Sequence, residues 1–339
     1  MRHGIWFVSL VIIASTIITG GCLPSTPTDR AGAVTLTVYG FSIMKEVMEK
    51  EIYPGFAAKW KREHNVDVGF VSSFAGSETV TNQILQGAPA DLAVLSIDRD
   101  AQRLYDANAT TTDWHQYPNR GIINKTPFVI LVRKGNPKGI KDFTDLAKPG
   151  VKLIHPDPVS SGGAQWSVLA IYGSELKRAE SEGRTAQPVA LLQSIWKNVI
   201  STPGSAREAR TQFETGYGDA LITYELEGLL MKGAAAEVEM VIPRATIFSE
   251  HPVVIIDQHV KAPERPVVEA FIQYLWTDEA QKAFVKYHFR SATNDAFNSD
   301  NHEFAEIEQP FTIEMFGRWP RAFPEIIEKV FQQQVQNKK

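Results

Sequence analysis

The chain runs to 339 residues, which is length for about two domains with a packed core in each. Its 43% hydrophobic and 22% charged residues are those of an ordinary soluble globular protein. A net charge of −4 gives no case for nucleic acid or an anionic membrane surface as a partner. Any anion bound here must therefore be held by local geometry rather than by the overall field.

The first residues read as an address rather than as fold. Arg2 and His3 precede an apolar stretch, 5–18, too short to span a bilayer, and Thr19, Gly20 and Gly21 lead to Cys22, the only cysteine. We expect a secretory signal peptide over 1–21. The residues around Cys22 resemble a bacterial lipobox, with Thr19 where a leucine is usual, and that resemblance implies lipid attachment at Cys22. Pro, Ser and Thr then make 22–33 a tether. A mature body without further cysteine suits an exported protein that does not depend on disulfides.

The body alternates strand and helix. A strand is predicted at 34–39, a helix at 43–61, a second strand at 66–71 ending in a Ser/Gly turn, a helix from Ser77 to about 86, and a buried strand at 91–96. This pattern predicts a doubly wound α/β lobe with ligands beyond the carboxyl ends of its strands. Two strongly apolar runs, 127–133 and 253–257, bracket a separate α/β unit: a strand at 151–155, helices from about 164, 189 and 206, and a strand at 219–223. The chain should thus cross between two lobes twice, with 34–128 plus 251–339 as lobe I and 129–250 as lobe II. Ligand sites form at such interfaces. Helices predicted at 268–286 and 320–335 are expected to pack on lobe I.

The stretch Pro156-Asp-Pro-Val-Ser-Ser-Gly-Gly-Ala-Gln-Trp166 carries the chemistry. Strand, Ser/Gly turn and helix start in that order aim free backbone N–H groups and hydroxyls at one point, and the positive end of the helix dipole favours an anion there. Gly162 and Gly163 let a ligand approach the backbone closely. Trp60, Trp196 and Trp276 sit on apolar helical faces as core residues, whereas Trp166 should lie near the cleft. We find no nucleophile elbow, no His-Glu-x-x-His and no Walker loop, and the eight histidines lack metal-ligand spacing, so neither a metal nor a cofactor is expected.

That stretch, together with Leu131-Val-Arg-Lys-Gly-Asn-Pro-Lys138, Gly218-Asp-Ala-Leu-Ile222 and Phe311-Thr-Ile-Glu-Met-Phe-Gly317, resembles the periplasmic sulfate-binding protein family, the solute-binding subunits of sulfate/thiosulfate ABC importers. The resemblance implies a two-lobed type II periplasmic-binding-protein fold, α/β in both lobes, closing on one dehydrated oxyanion and delivering it, as a monomer, to an importer permease. It assigns backbone N–H donors to Ser77, Gly162, Gly163 and Ala206, a hydroxyl donor to Ser161, and a supporting role to Arg207. Three positions depart from the family pattern. Tyr224 stands where the family has a tryptophan donor. Gly40-Phe41-Ser42 replaces Tyr-Asp-Pro, so a carboxylate partner is expected to be missing. Glu78 follows Ser77 where the family carries Gly-Lys. A carboxylate at Glu78 or Glu208 either favours a helix dipole or accepts from a protonated oxyanion such as hydrogen phosphate. Phosphate, molybdate and a small organic acid thus stay open as ligands, as does a sensor without transport. The alternative from another class is a two-lobed hydrolase acting on sulfo or phospho substrates, with Glu78, Glu208 or Glu225 as its general base.

Overall fold

The structure, a computed structural model, describes residues 33–336; the expected signal peptide, Cys22 and the tether as far as residue 32 lie outside them. Three strands, β1 (Val34–Phe41), β2 (Val68–Ala75) and β3 (Leu92–Val94), form a parallel set with β1 in the middle. Helices α1 (Lys45–Val47) and α2 (Tyr53–His64) connect β1 to β2, α3 (Ser77–Leu85) connects β2 to β3, and α4 (Asp98–Asp106) follows β3. Because β1 and β2 run in register from Val34↔Val68 to Phe41↔Ala75, their carboxyl ends finish side by side, and α3 starts there.

The long strand β4 (Ile122–Arg133) leaves this unit. The second unit contains β5 (Leu153–Ile154), α5 (Gly162–Glu182), α6 (Pro188–Trp196), β6 (Val199–Ser201), α7 (Ala206–Glu214), β7 (Ala220–Tyr224), α8 (Glu225–Gly233) and β8 (Val238–Val241). A second long strand, β9 (Ala245–Ile255), returns. Residues 122–127 of β4 pair antiparallel with β9, whereas 128–132 pair with β7. In β9, residues 253–255 pair with β3 and 248–252 with β4. Two antiparallel strands, each exchanging partners half-way along, thus carry the chain between the units. The strand order is β2-β1-β3-β9-β4-β7-β5-β6. Residues 128–132 are buried throughout, as expected of a strand covered on both faces.

Then come α9 (Arg265–Tyr274), α10 (Asp278–Lys286), β10 (Arg290–Ser291), α11 (Asp295–Ser299), β11 (Gln309–Phe311), α12 (Trp319–Ala322) and a π-helical segment, Phe323–Val335. The single helix expected over 268–286 is two, because Thr277 caps a fresh start by accepting from the Ala280 N–H at 3.4 Å. Strand β9 begins eight residues before the apolar run that announced it. Residues 245–252 include Thr246, Ser249 and His251, polar but buried, and they obscured the strand.

The last segment departs from expectation. Residues 309–335 lie mainly on the second unit, not on the first. Phe331 meets Trp196 of α6 edge-on at 4.7 Å, Gln193 donates to the Gln334 carbonyl at 2.9 Å, and Trp319 meets Trp166 of α5 edge-on at 4.8 Å. Phe311 and Phe316 cover Gly173 of α5 so closely that a Cβ there would lie 2.5 Å from the Phe311 ring. The buried stripe Ile326, Ile327, Phe331 and Val335 finds its apolar partner on α6, where Leu192 and Ile195 are also buried. Phe331→Ala is expected to lower the unfolding free energy by about 3–5 kcal/mol, the usual cost of emptying a buried phenylalanine site, as measured by urea denaturation.

Candidate functional site

Three helix starts meet at the seam between the units. Gly76, the N-cap of α3, has φ −62° and ψ 144°, a conformation open to any residue. It is glycine for space alone: a Cβ would lie 2.3 Å from the Ser160 carbonyl oxygen and 2.6 Å from that of Gly204. Ser160 immediately precedes the Ser161 N-cap of α5, and Gly204 precedes the Ser205 N-cap of α7. Ser160 Oγ donates to the Gly204 carbonyl at 2.8 Å and ties those two starts together. The first-turn N–H groups of a helix have no intrahelical acceptor, so Ser77, Gly162, Gly163 and Ala206 each bring one donor to this place, at three positive dipole ends.

The side chains around it are buried and committed. Ser161 Oγ accepts the Ala164 N–H at 3.4 Å, which leaves its own O–H to donate elsewhere. Ser77 Oγ donates to Asp100 at 2.5 Å and accepts the Ser96 N–H at 3.0 Å. Tyr224 Oη lies 2.9 Å from Ser96 Oγ and 2.5 Å from where a Cβ on Gly163 would sit, so the phenol reaches the start of α5. Burial pushes the Tyr224 phenol above its ordinary range, which keeps it neutral and able to donate. Trp166 Nε1 donates to the Ser96 carbonyl at 2.7 Å, placing Trp166 at the seam. Ser77, Ser161, Gly162, Gly163, Ala206 and Tyr224 are thus brought together.

The formal charges are paired with one another. Arg207 Nε contacts Glu227 at 3.1 Å and its Nη1 contacts Glu46 at 3.0 Å, while Arg210 takes the other Glu227 oxygen at 2.8 Å. Burial works to raise Glu46, but the Arg207 guanidinium outweighs it and the net shift is downward. At 40–42 itself no carboxylate is present, and Ser42 Oγ accepts the Arg207 N–H at 3.4 Å. Glu225 holds Arg290 through both oxygens, at 3.0 and 2.8 Å, and burial raises it despite that partner. Glu208 accepts the Gly204 N–H at 2.9 Å and closes the cap of α7 with Ser205. Glu78 accepts from Arg99 at 2.7 Å, from Arg103, and from Gln165 at 2.9 Å. It is an ion-pair partner with a donor on each oxygen.

Sequence reasoning missed Ser96, Asp100 and Gln165. Asp100 is fully buried, and burial first, then the Glu78 charge, raises its carboxyl. The available signal was Asp98-Arg99-Asp100 directly after the strand at 91–96, a polar run that opens α4. Among the described residues no group of His, Cys, Asp and Glu is placed to hold a metal, and no helix is long and apolar enough to cross a membrane.

The family model for bacterial extracellular solute-binding proteins matches residues 36–290. The sulfate-binding protein of Synechococcus elongatus is 34% identical over 324 residues, covering 94% of this chain and 91% of its own. The chain belongs to the sulfate-binding protein family. The thiosulfate-binding protein of Escherichia coli is 31% identical, covering 92% and 91%. Among solved structures, the sulfate-binding protein SubI from Mycobacterium tuberculosis superposes with a TM-score of 0.77 at 28% identity, covering 86% of this chain and 99% of that one. The two-lobed type II fold is thereby established, with β4 and β9 as the strands that run between lobes.

Gly76 lets the start of α3 approach those of α5 and α7. Gly76→Ala places a methyl against two backbone carbonyls that can give only if α3 parts from α5 and α7. Calorimetric titration with sulfate as the probe is expected to show affinity reduced by about tenfold or more, the scale of an overpacked contact. The urea midpoint of the ligand-free protein should stay unchanged.

Proposed function

We propose that the chain is an extracytoplasmic receptor that captures sulfate or thiosulfate between its lobes and delivers it to an ABC importer. The observation that carries this reading is the convergence of the α3, α5 and α7 starts around Ser77, Ser161, Gly162, Gly163 and Ala206. Hydrogen bonds from such donors to an anion are roughly twice as strong as neutral ones. They supply a dianion with partners without a free cation, since Arg99, Arg103, Arg207, Arg210 and Arg290 are all paired to carboxylates. The names of the relatives, sulfate-binding and thiosulfate-binding, support the same ligand class.

The predominance of N–H donors at the three helix starts favours a fully deprotonated oxyanion. Of the carboxylates beside the helix starts, Glu78 accepts from Arg99, Arg103 and Gln165, Asp100 accepts from Ser77, and Glu208 accepts from the Gly204 N–H through one oxygen. Hydrogen phosphate would bring a proton of its own into a pocket made mainly of donors, which is a basis for disfavouring it. The pairing of Glu225 with Arg290 weighs against hydrolysis, because it commits that candidate base to an ion pair. Lipid attachment at Cys22, a monomeric state and a permease partner complete the reading; they rest on the sequence and the family.

Calorimetry on the mature domain with sulfate, thiosulfate, phosphate and molybdate tests it. Sulfate or thiosulfate should bind at micromolar or tighter affinity with phosphate silent. Ser161→Ala should weaken binding by about 1–3 kcal/mol, the cost of a hydrogen bond to a charged group. Phosphate binding with sulfate silent, or an unaffected Ser161→Ala, would contradict the assignment.

A further inference from the structure

Resting on that reading, we infer that Glu78 and Gln165 are positioning residues that hold the α3 and α5 starts together and set the rate at which a captured anion is released. Glu78 is the second residue of α3, directly after the Ser77 donor, and Gln165 stands two residues after the Gly163 donor. The Gln165 side-chain nitrogen donates across the seam to Glu78 at 2.9 Å and, within its own lobe, to the Pro158 carbonyl at 3.0 Å. Both neighbours are acceptors, so the amide orientation follows from the hydrogen-bond network. Both side chains are buried.

Besides Gln165, Glu78 has partners on its own lobe. Its oxygens are held by Arg99 and Arg103, both on α4 of the same lobe. Arg103 is anchored in turn on Asn82 of α3 at 2.7 Å, whereas the Arg99 guanidinium lies 3.5 Å above the ring of Phe323, in the segment that packs mainly on the second unit. Arg103 and Asn82 therefore preorganise the acceptor within lobe I, and closure adds one charge-assisted bond at little cost in ordering the carboxylate. This bond forms beside the anion donors without touching the anion. It should stabilise the closed state alike for every ligand, acting on release rather than on encounter or selectivity. A merely structural cluster on lobe I would move the folding stability and leave release alone.

Stopped-flow fluorescence on the mature protein, with sulfate and thiosulfate as probes, separates these. Gln165→Met keeps the volume and removes the donor. Its dissociation rate should rise about tenfold or more, the scale of a hydrogen bond to a charged partner, with the association rate within about twofold and the sulfate-to-thiosulfate affinity ratio unchanged. Gln165→Asn, whose shorter amide cannot reach Glu78, should do the same and serves if the first variant folds poorly. In a cycle with Glu78→Gln, the effects on release should be non-additive. An unchanged dissociation rate, or a fall in association that accounts for the lost affinity, overturns the latch while leaving the receptor reading intact. A native protein that binds neither anion overturns both.

Discussion

The approach of the Gly76 backbone to the carbonyls of Ser160 and Gly204 governs the geometry of the whole seam. Helix starts are common and each is a weak anion site; three become one site only where their first turns can come within a few ångströms. The parallel register of β1 with β2 delivers α3 to the carboxyl edge of lobe I. In lobe II, β5 pairs in parallel with both β6 and β7, which brings the loops ahead of α5 and α7 side by side. The Ser160 to Gly204 bond then fixes those two starts before the third meets them.

Around this point the protein spends its charges on itself. Glu227 takes Arg207 and Arg210, Glu225 takes Arg290, and Glu78 takes Arg99 and Arg103. Removing either partner of such a pair would leave an uncompensated charge in a poorly solvated place, which is far more costly than the pair itself is stabilising. The result is a seam lined by dipoles and neutral hydroxyls, consistent with a chain whose net charge is negative. Several of the same groups also join the lobes: Arg207 reaches Glu46, Tyr224 reaches Ser96, Trp166 reaches the Ser96 carbonyl and Gln165 reaches Glu78. Anion capture and lobe closure therefore draw on one set of residues.

What could be read in the sequence was local. Ser161 with Gly162 and Gly163, Ser77, and Ala206 after Ser205 each announce a helix start within a few residues, and the fold brings all three together. The two long β-runs were visible where they are apolar and invisible at 245–252, where buried polar residues mimic a loop. Contacts between residues far apart could not be inferred: Ser96 with Tyr224 spans 128 positions and Gln165 with Glu78 spans 87. Helix α4 was hidden by its own charge, and with it the arginines that engage Glu78, so the sequence offered that carboxylate a helix dipole or an anion but not its ion-pair partners. The docking of Phe323–Val335 on α6 was lost for a related reason, since an amphipathic stripe does not name its partner.

The central claim is that an oxyanion is held by helix-start N–H groups and hydroxyls with no cation in contact. Anomalous diffraction from crystals grown with selenate, a heavy-atom analogue of sulfate, addresses it directly. The account predicts one strong selenium peak whose oxygens lie about 2.7–3.2 Å from the N–H groups of Ser77, Gly162, Gly163 and Ala206 and from the Ser161 hydroxyl, with every guanidinium still on its carboxylate. A peak seated against an arginine or lysine, or away from the three helix starts, would contradict it.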